Sequence, residues 1–109
     1  MKSAIRSSVM LAGAALLACA MGFAQSSGEA IYKEKCLRCH GATGLANTVA
    51  GITMKVKPIT DPGIKNLTEA EMIEIVRNGK SGSKMQSWKS ELSSAQIKGV
   101  VDYYRTFLK

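Results

Sequence analysis

The stretch KEKCLRCHGATG places two thiols and an imidazole within five residues: Cys36, Leu37, Arg38, Cys39 and His40. Three chemistries use that spacing. A Cys-x-x-Cys pair can be a redox disulfide, it can be half of a zinc clip, and with a histidine directly after it can be the attachment site of a c-type haem. In the third case each thiol adds to one vinyl group of the porphyrin, giving two thioethers. The two-residue gap spans the vinyls on one turn of chain and brings His40 under the iron as the proximal ligand.

The N-terminus narrows the choice. Lys2 and Arg6 make a basic start, and Val9 to Phe23 is almost wholly apolar or small, without a charge. That is the pattern of a secretory signal peptide, too short and too weakly flanked for a membrane span. Gly22 and Ala24 stand three and one positions before Gln25, as signal cleavage requires. Residues 1–24 therefore read as a signal peptide and 25–109 as one mature, periplasmic domain. The stretch LLAC ending at Cys19 also fits a lipoprotein signal, in which Cys19 is lipidated and the domain is lipid-anchored. Cleavage after Ala24 leaves 85 residues with 13 basic against 8 acidic side chains, a net charge of +5.

After cleavage Cys36, Cys39 and His40 are the only cysteines and histidine left. Structural zinc takes four nitrogen or sulfur ligands, and three adjacent ones make a poor tetrahedron. A thioredoxin-like pair belongs beside a βαβ pattern, and no segment here alternates like a strand. A disulfide between Cys36 and Cys39 closes too small a loop to stabilise much. Haem is the reading that remains. It also supplies a large apolar body to a chain of marginal size for burying its own core.

The elements that must position this motif are helical. Ser26 with Glu29 reads as a capping box opening a short helix to about Lys35, with Ile31 and Tyr32 as its apolar pair. Gly41 to Pro62 has no sustained period and reads as a long loop holding one short turn of helix; such loops are functional or wrap something. Thr68 and Glu71 open a second helix carrying Met72, Ile73, Ile75 and Val76, which Asn78-Gly79 ends. The loop GKSGSKMQSWKSEL follows. Ser93 and Gln96 then open a last helix to about Phe107, with Ile97, Val100, Val101, Tyr104 and Leu108 at helical spacing.

With one histidine, ligation by two imidazoles within the chain is excluded, and methionine is the usual partner in electron-carrying cytochromes. Met72 lies in a helix, where filling the core is its ordinary role. Met54 sits in the long loop only 14 residues after His40 and needs a tight wrap to reach the other face of a haem. Met85 lies in the glycine- and serine-rich loop, which can pass over the haem edge. Met85 is the first candidate and Met54 the reserve.

These residues resemble a known family, the small class I single-haem cytochromes c of bacterial periplasms. The resemblance covers Gly28 to Leu108. Gly28 and Tyr32 ahead of CLRCH look like the family's first-helix contact positions, and Val100 and Tyr103 in VVDYYRTF like the last-helix positions they meet. NGKSGSKMQSW resembles the segment carrying the methionine ligand, which falls on Met85. Two features depart. Gln86 stands where proline commonly follows that methionine, and the first proline after His40-Gly41 is Pro58. The backbone carbonyl that takes the His40 ring N–H is therefore open.

The resemblance implies an all-α, cytochrome c-like fold: three main helices and long loops around one covalently bound haem c. It implies thioethers at Cys36 and Cys39, axial iron ligands His40 and Met85, and a one-electron carrier rather than an enzyme. Lys33, Lys35 and Arg38 near the motif, and Lys80, Lys84 and Lys89 near Met85, would then ring the haem edge and steer the carrier onto redox proteins with acidic docking surfaces. No nucleic acid is expected as partner, and contact with a membrane only through partners or lipidation at Cys19. The alternative is an open-coordination haem protein, a peroxide- or gas-responsive sensor or a peroxidase-like protein, should the methionine bond be weak.

Overall fold

The computed structural model describes residues 27–109, so the signal segment, Cys19 and the Ser26 cap lie outside the described residues. The elements in order are α1 (Gly28–Ile31), a π-helical turn (Tyr32–Cys36), α2 (Leu37–His40), α3 (Val49–Thr53), α4 (Pro62–Lys65), α5 (Glu69–Asn78), α6 (Ser94–Arg105) and a 3₁₀ turn (Thr106–Leu108). No strand occurs among the described residues. The all-α expectation holds, with three principal helical stretches: α1 through α2, α5, and α6.

The caps follow the side chains available. Ser27 caps α1 by accepting the N–H of Ala30. Thr68 with Glu71 and Ser93 with Gln96 form complete capping boxes, each satisfying two otherwise unpaired donors. The loop after the motif holds two short helices rather than one turn. Thr48 starts the first by accepting from Gly51, and Asp61 with Pro62 starts the second.

The first stretch does not stop at Lys35. The chain widens into a π turn, with the Leu37 N–H bonding the Tyr32 carbonyl, and continues through the Cys-x-x-Cys-His segment to His40. Such bulges insert one residue into a helix and re-aim the side chains beyond the insertion.

The core forms where α1 and its π turn cross α6. A Cβ built on Gly28 would overlap the Gly99 carbonyl and stand 3.0 Å from the Val100 nitrogen. The two backbones are thus in direct contact, which only glycine at position 28 allows; a Cβ on Gly99 would meet Gly28 at an ordinary 3.7 Å. Tyr32, 1% exposed, follows and sits among Tyr103, Tyr104 and Phe107 with ring centroids 5.4–6.0 Å away. Ile31, Leu92, Ile97 and Val100 complete the buried cluster, and Ile73 and Val76 of α5 pack on it. Arg105 ties α6 to the start of α5 by donating to the Leu67 carbonyl at 3.0 Å.

Leu108 departs from the helical expectation. The chain tightens into a 3₁₀ turn at Thr106, which breaks the 3.6-residue register; Phe107 packs on the core and Leu108 is left exposed.

Gly28→Ala should cost about 1–3 kcal/mol, the usual penalty for forcing a methyl into filled space. Denaturant unfolding of the haem-loaded protein, followed by circular dichroism, checks it. A midpoint equal to wild type would show that the crossing is not tight.

Candidate haem site

Cys36, Cys39 and His40 lie at spacings of three and four residues, which places them on one side of the motif helix. Both thiols are free, so the disulfide reading has no support here. Burial pushes the Cys36 thiol up to about 11, so it stays protonated until it reacts. Among the described residues no group of three or more His, Cys, Asp or Glu is placed to hold a metal ion alone, which leaves zinc without a site.

His40 fits an iron ligand on two counts. Burial lowers its pKa, which keeps the imidazole neutral, the form that coordinates metals. Its Nδ1 is sealed from solvent with no hydrogen-bond partner, whereas Nε2 is not among such sealed atoms. The ring is oriented by packing instead: Tyr104 of α6 meets it edge-on, centroids 5.5 Å apart at 71°. Pro58, the first proline downstream, gives its carbonyl to the Asp61 N–H. Among the described residues no carbonyl accepts from His40 Nδ1, and Tyr104 is the aromatic ring that packs against it.

The segment after the motif locks the turn. The Tyr32 hydroxyl donates to the Gly41 carbonyl at 2.6 Å, and the Ala46 N–H donates to the His40 carbonyl at 2.8 Å. Gly44 must be glycine: its φ is +75°, and a Cβ would stand 3.0–3.2 Å from Phe107, Ile59 and Tyr104. Thr48 donates to the Arg38 carbonyl at 2.6 Å, and α3 lies so close that a Cβ on Gly51 would overlap the Cys39 carbonyl. Sequence reasoning missed this Thr48–Gly51 clamp. Its signal was a hydroxyl three residues before a glycine, too common to single out.

The three methionines separate clearly. Met72 is buried, its sulfur 3.7 Å from an Arg105 nitrogen, and it fills the core as expected. Met54 sits exposed at the C-cap of α3. Met85 is half-buried in the loop after α5, where the Lys80 N–H donates to its carbonyl at 3.2 Å and its own N–H donates to Ser83 at 3.2 Å.

That loop is anchored despite Gln86. Just beyond it, the Ser87 hydroxyl and the Lys89 N–H donate to the Arg77 carbonyl at 2.6 and 3.2 Å, and the Trp88 N–H to the Val76 carbonyl at 3.0 Å. These carbonyls end α5 and need partners from outside the helix. Trp88 also packs on the cluster that Cys36 and Leu37 touch. Lys35 lies 5.8 Å over the Trp88 ring and 3.9 Å from Glu91. Through Trp88 the motif helix and the Met85 loop share one support, a link no local pattern announces.

The basic residues divide. Lys33 pairs with Glu29 at 2.8 Å and Lys35 with Glu91. Among the described residues no ion pair involves Lys80, Lys84 or Lys89.

Comparison with known proteins agrees with this geometry. Residues 23–103 match the family described as cytochrome c oxidase, cbb3-type, subunit III. The cbb3-type cytochrome c oxidase subunit FixP of Bradyrhizobium diazoefficiens is 30% identical over 82 residues, 75% of this chain but 27% of that protein. The chain thus spans about a quarter of the length of this curated relative. The fold matches the KustC0563 c-type cytochrome with a TM-score of 0.66 at 24% identity, over 75% of this chain and 98% of that one. Among the described residues no helix is long and apolar enough to cross a membrane. The free thiol pair, the neutral imidazole beside it and these matches lead to one assignment: the chain belongs to the c-type cytochrome family of cbb3-type oxidase subunit III, is a class I single-haem cytochrome, and has covalently bound haem c as its cofactor.

Proposed function

We propose that residues 25–109, exported and freed of a signal peptide at 1–24, act as a one-electron carrier in a respiratory or similar redox chain. Haem c supplies the redox chemistry, an iron that alternates between the ferric and ferrous states. The chain's residues hold and tune it. Cys36 and Cys39 would form the thioethers, and His40, through Nε2, and Met85 would hold the iron. A neutral imidazole and a thioether favour ferrous iron more than two imidazoles would, which raises the potential. No general acid or base is required, because no substrate bond breaks. The name of the FixP relative points to a terminal oxidase as the kind of acceptor.

The observation that carries this reading is the anchored Met85 loop. With Ser87, Trp88 and Lys89 fixed on the end of α5, Met85 has a support that does not depend on a following proline. Met72 is committed to the core, which leaves Met54 as the competing sulfur. An open sixth position, suited to peroxide or gas binding, is the reading this anchoring disfavours.

A visible spectrum of periplasmically expressed protein, before and after dithionite, tests the ligand set. A low-spin spectrum with a far-red sulfur-to-iron band is expected. Met85→Ala should remove that band and lower the potential, while Met54→Ala leaves both unchanged. A high-spin ferric spectrum in wild type would favour the open site, and loss of the band in Met54→Ala would move the ligand there.

Lys80, Lys84 and Lys89 flank the same loop and should steer it onto acidic partners. The rate of electron transfer to a purified acidic redox protein should fall as ionic strength rises, steeply over the range in which the screening length shrinks below about 10 Å. A rate indifferent to salt would remove the steering role.

A further inference from the structure

The Met85 loop is closed at its neck and loose at its tip. A Cβ built on Gly79 would stand 2.9 Å from the Met85 carbonyl oxygen and 3.0 Å from the backbone of Gln86 and Ser87. At the tip, Ser83 bonds the Lys80 carbonyl through its hydroxyl at 2.8 Å and its N–H at 3.2 Å, and a Cβ on Gly82 would meet nothing within 4 Å. The tip bonds stay inside an exposed loop. The neck bonds run to the end of α5, the helix that the loop itself continues. Neither set ties Met85 to the stretch that carries Cys36, Cys39 and His40.

Trp88 makes that tie. It is the first hydrophobic residue after Met85, and it packs on the cluster that includes Ile31 and Tyr32 of the motif-bearing stretch. Its backbone is fixed from both sides. The N–H donates to the Val76 carbonyl at 3.0 Å, and the carbonyl accepts from the Glu91 and Leu92 N–H groups at 3.0 and 2.9 Å. Cys36 and Leu37 pack on the same cluster from the motif side. Lys35 lies 5.8 Å over the indole, within the reach of about 6 Å at which the ring quadrupole attracts a cation. The Lys35–Glu91 pair beside it is long, at 3.9 Å, and such partly exposed pairs contribute little alone. The indole is therefore the part of this segment that reaches the motif stretch.

We propose that Trp88 is the positioning residue of the distal ligand: its indole docks the neck of the Met85 loop on the haem-motif stretch and so sets how often the Met85 side chain leaves the iron. This rests on the reading of Met85 as the distal ligand. Gln86 and Ser87 alone separate Met85 from Trp88, so the seat of the ring is conveyed to the sulfur through a short segment. Gln86 does not fix its own φ as a proline would. The docked indole supplies the constraint from the far end of the segment. Removing the ring keeps the backbone bonds to Val76 and Arg77 but releases the neck from the motif stretch, and Met85 then departs more often. Lys35 contributes less, through the ring it covers.

Cyanide binding to the ferric haem-loaded protein tests this, because cyanide takes the sixth position only after Met85 vacates it. At high cyanide the rate levels off at the rate of that departure. Trp88→Leu should raise this limiting rate about tenfold or more. Trp88→Phe keeps an aromatic face and should bind near the wild-type rate, and Lys35→Met should bind about threefold faster. Val101→Ala, a buried α6 substitution outside the cluster on which Trp88 packs, should lower the unfolding midpoint and leave the rate unchanged. If Trp88→Leu does not load haem, Lys35→Met carries the test. The proposal is overturned if Trp88→Leu, or in its place Lys35→Met, binds cyanide at the wild-type rate. It is equally overturned if Val101→Ala speeds binding as much as Trp88→Leu does. A wild type without the far-red band removes the Met85 ligand and the proposal with it, whereas a wild type with the band and an unresponsive Trp88→Leu overturns the proposal alone.

Discussion

The backbone contact between Gly28 and Gly99 fixes the geometry on which the site depends. It sets the height at which the first helix crosses α6, with one consequence along each helix. One turn on from Gly28, Tyr32 enters the aromatic cluster of α6 and hydrogen-bonds the carbonyl just past the haem motif. Five residues on from Gly99, Tyr104 meets the His40 ring edge-on. The same helix thus fixes the start of the motif-bearing stretch and the orientation of its histidine. A side chain at position 28 would push both out of place together.

The π turn fits this constraint. Tyr32 enters the α6 cluster at the start of the π turn, Cys36 packs on the same cluster at its end, and His40 meets Tyr104 one helical turn further on. The next loop then seals the motif from its C-terminal end: Thr48 takes the Arg38 carbonyl and Gly51 approaches the Cys39 carbonyl. With the Met85 loop pinned to the end of α5, the site is held by backbone carbonyls that helices leave unpaired at their ends.

Much of this was legible in the sequence where the signal is local. Thr68-x-x-Glu71 and Ser93-x-x-Gln96 are capping boxes in sequence and structure alike, and the Cys-x-x-Cys-His spacing carries its chemistry on its face. Contacts between distant residues were not legible. Gly99 gives no sign that it faces Gly28, because a lone glycine in a helix pattern is usually a weak point. Lys35 reads as a free surface charge until Trp88 and Glu91 are found beside it. Lys33 is likewise paired with Glu29, so of the basic residues expected around the haem edge Arg38, Lys80, Lys84 and Lys89 are the ones without an ion pair among the described residues. Leu108 failed for another reason: periodicity assumes that the helix keeps its pitch, and this one tightens at Thr106.

In the ligand set proposed above, the Met85 sulfur, held by the loop anchored on α5, completes the coordination begun by His40. Proton NMR of the reduced haem-loaded protein tests it directly, because the porphyrin ring current displaces the methyl signal of a bound methionine far upfield. A single such three-proton resonance should appear, connect by nuclear Overhauser effects to Trp88 and Lys84, and vanish in Met85→Ala. An upfield methyl that instead connects to Thr53 and Lys55, or the absence of any such signal, would contradict the account.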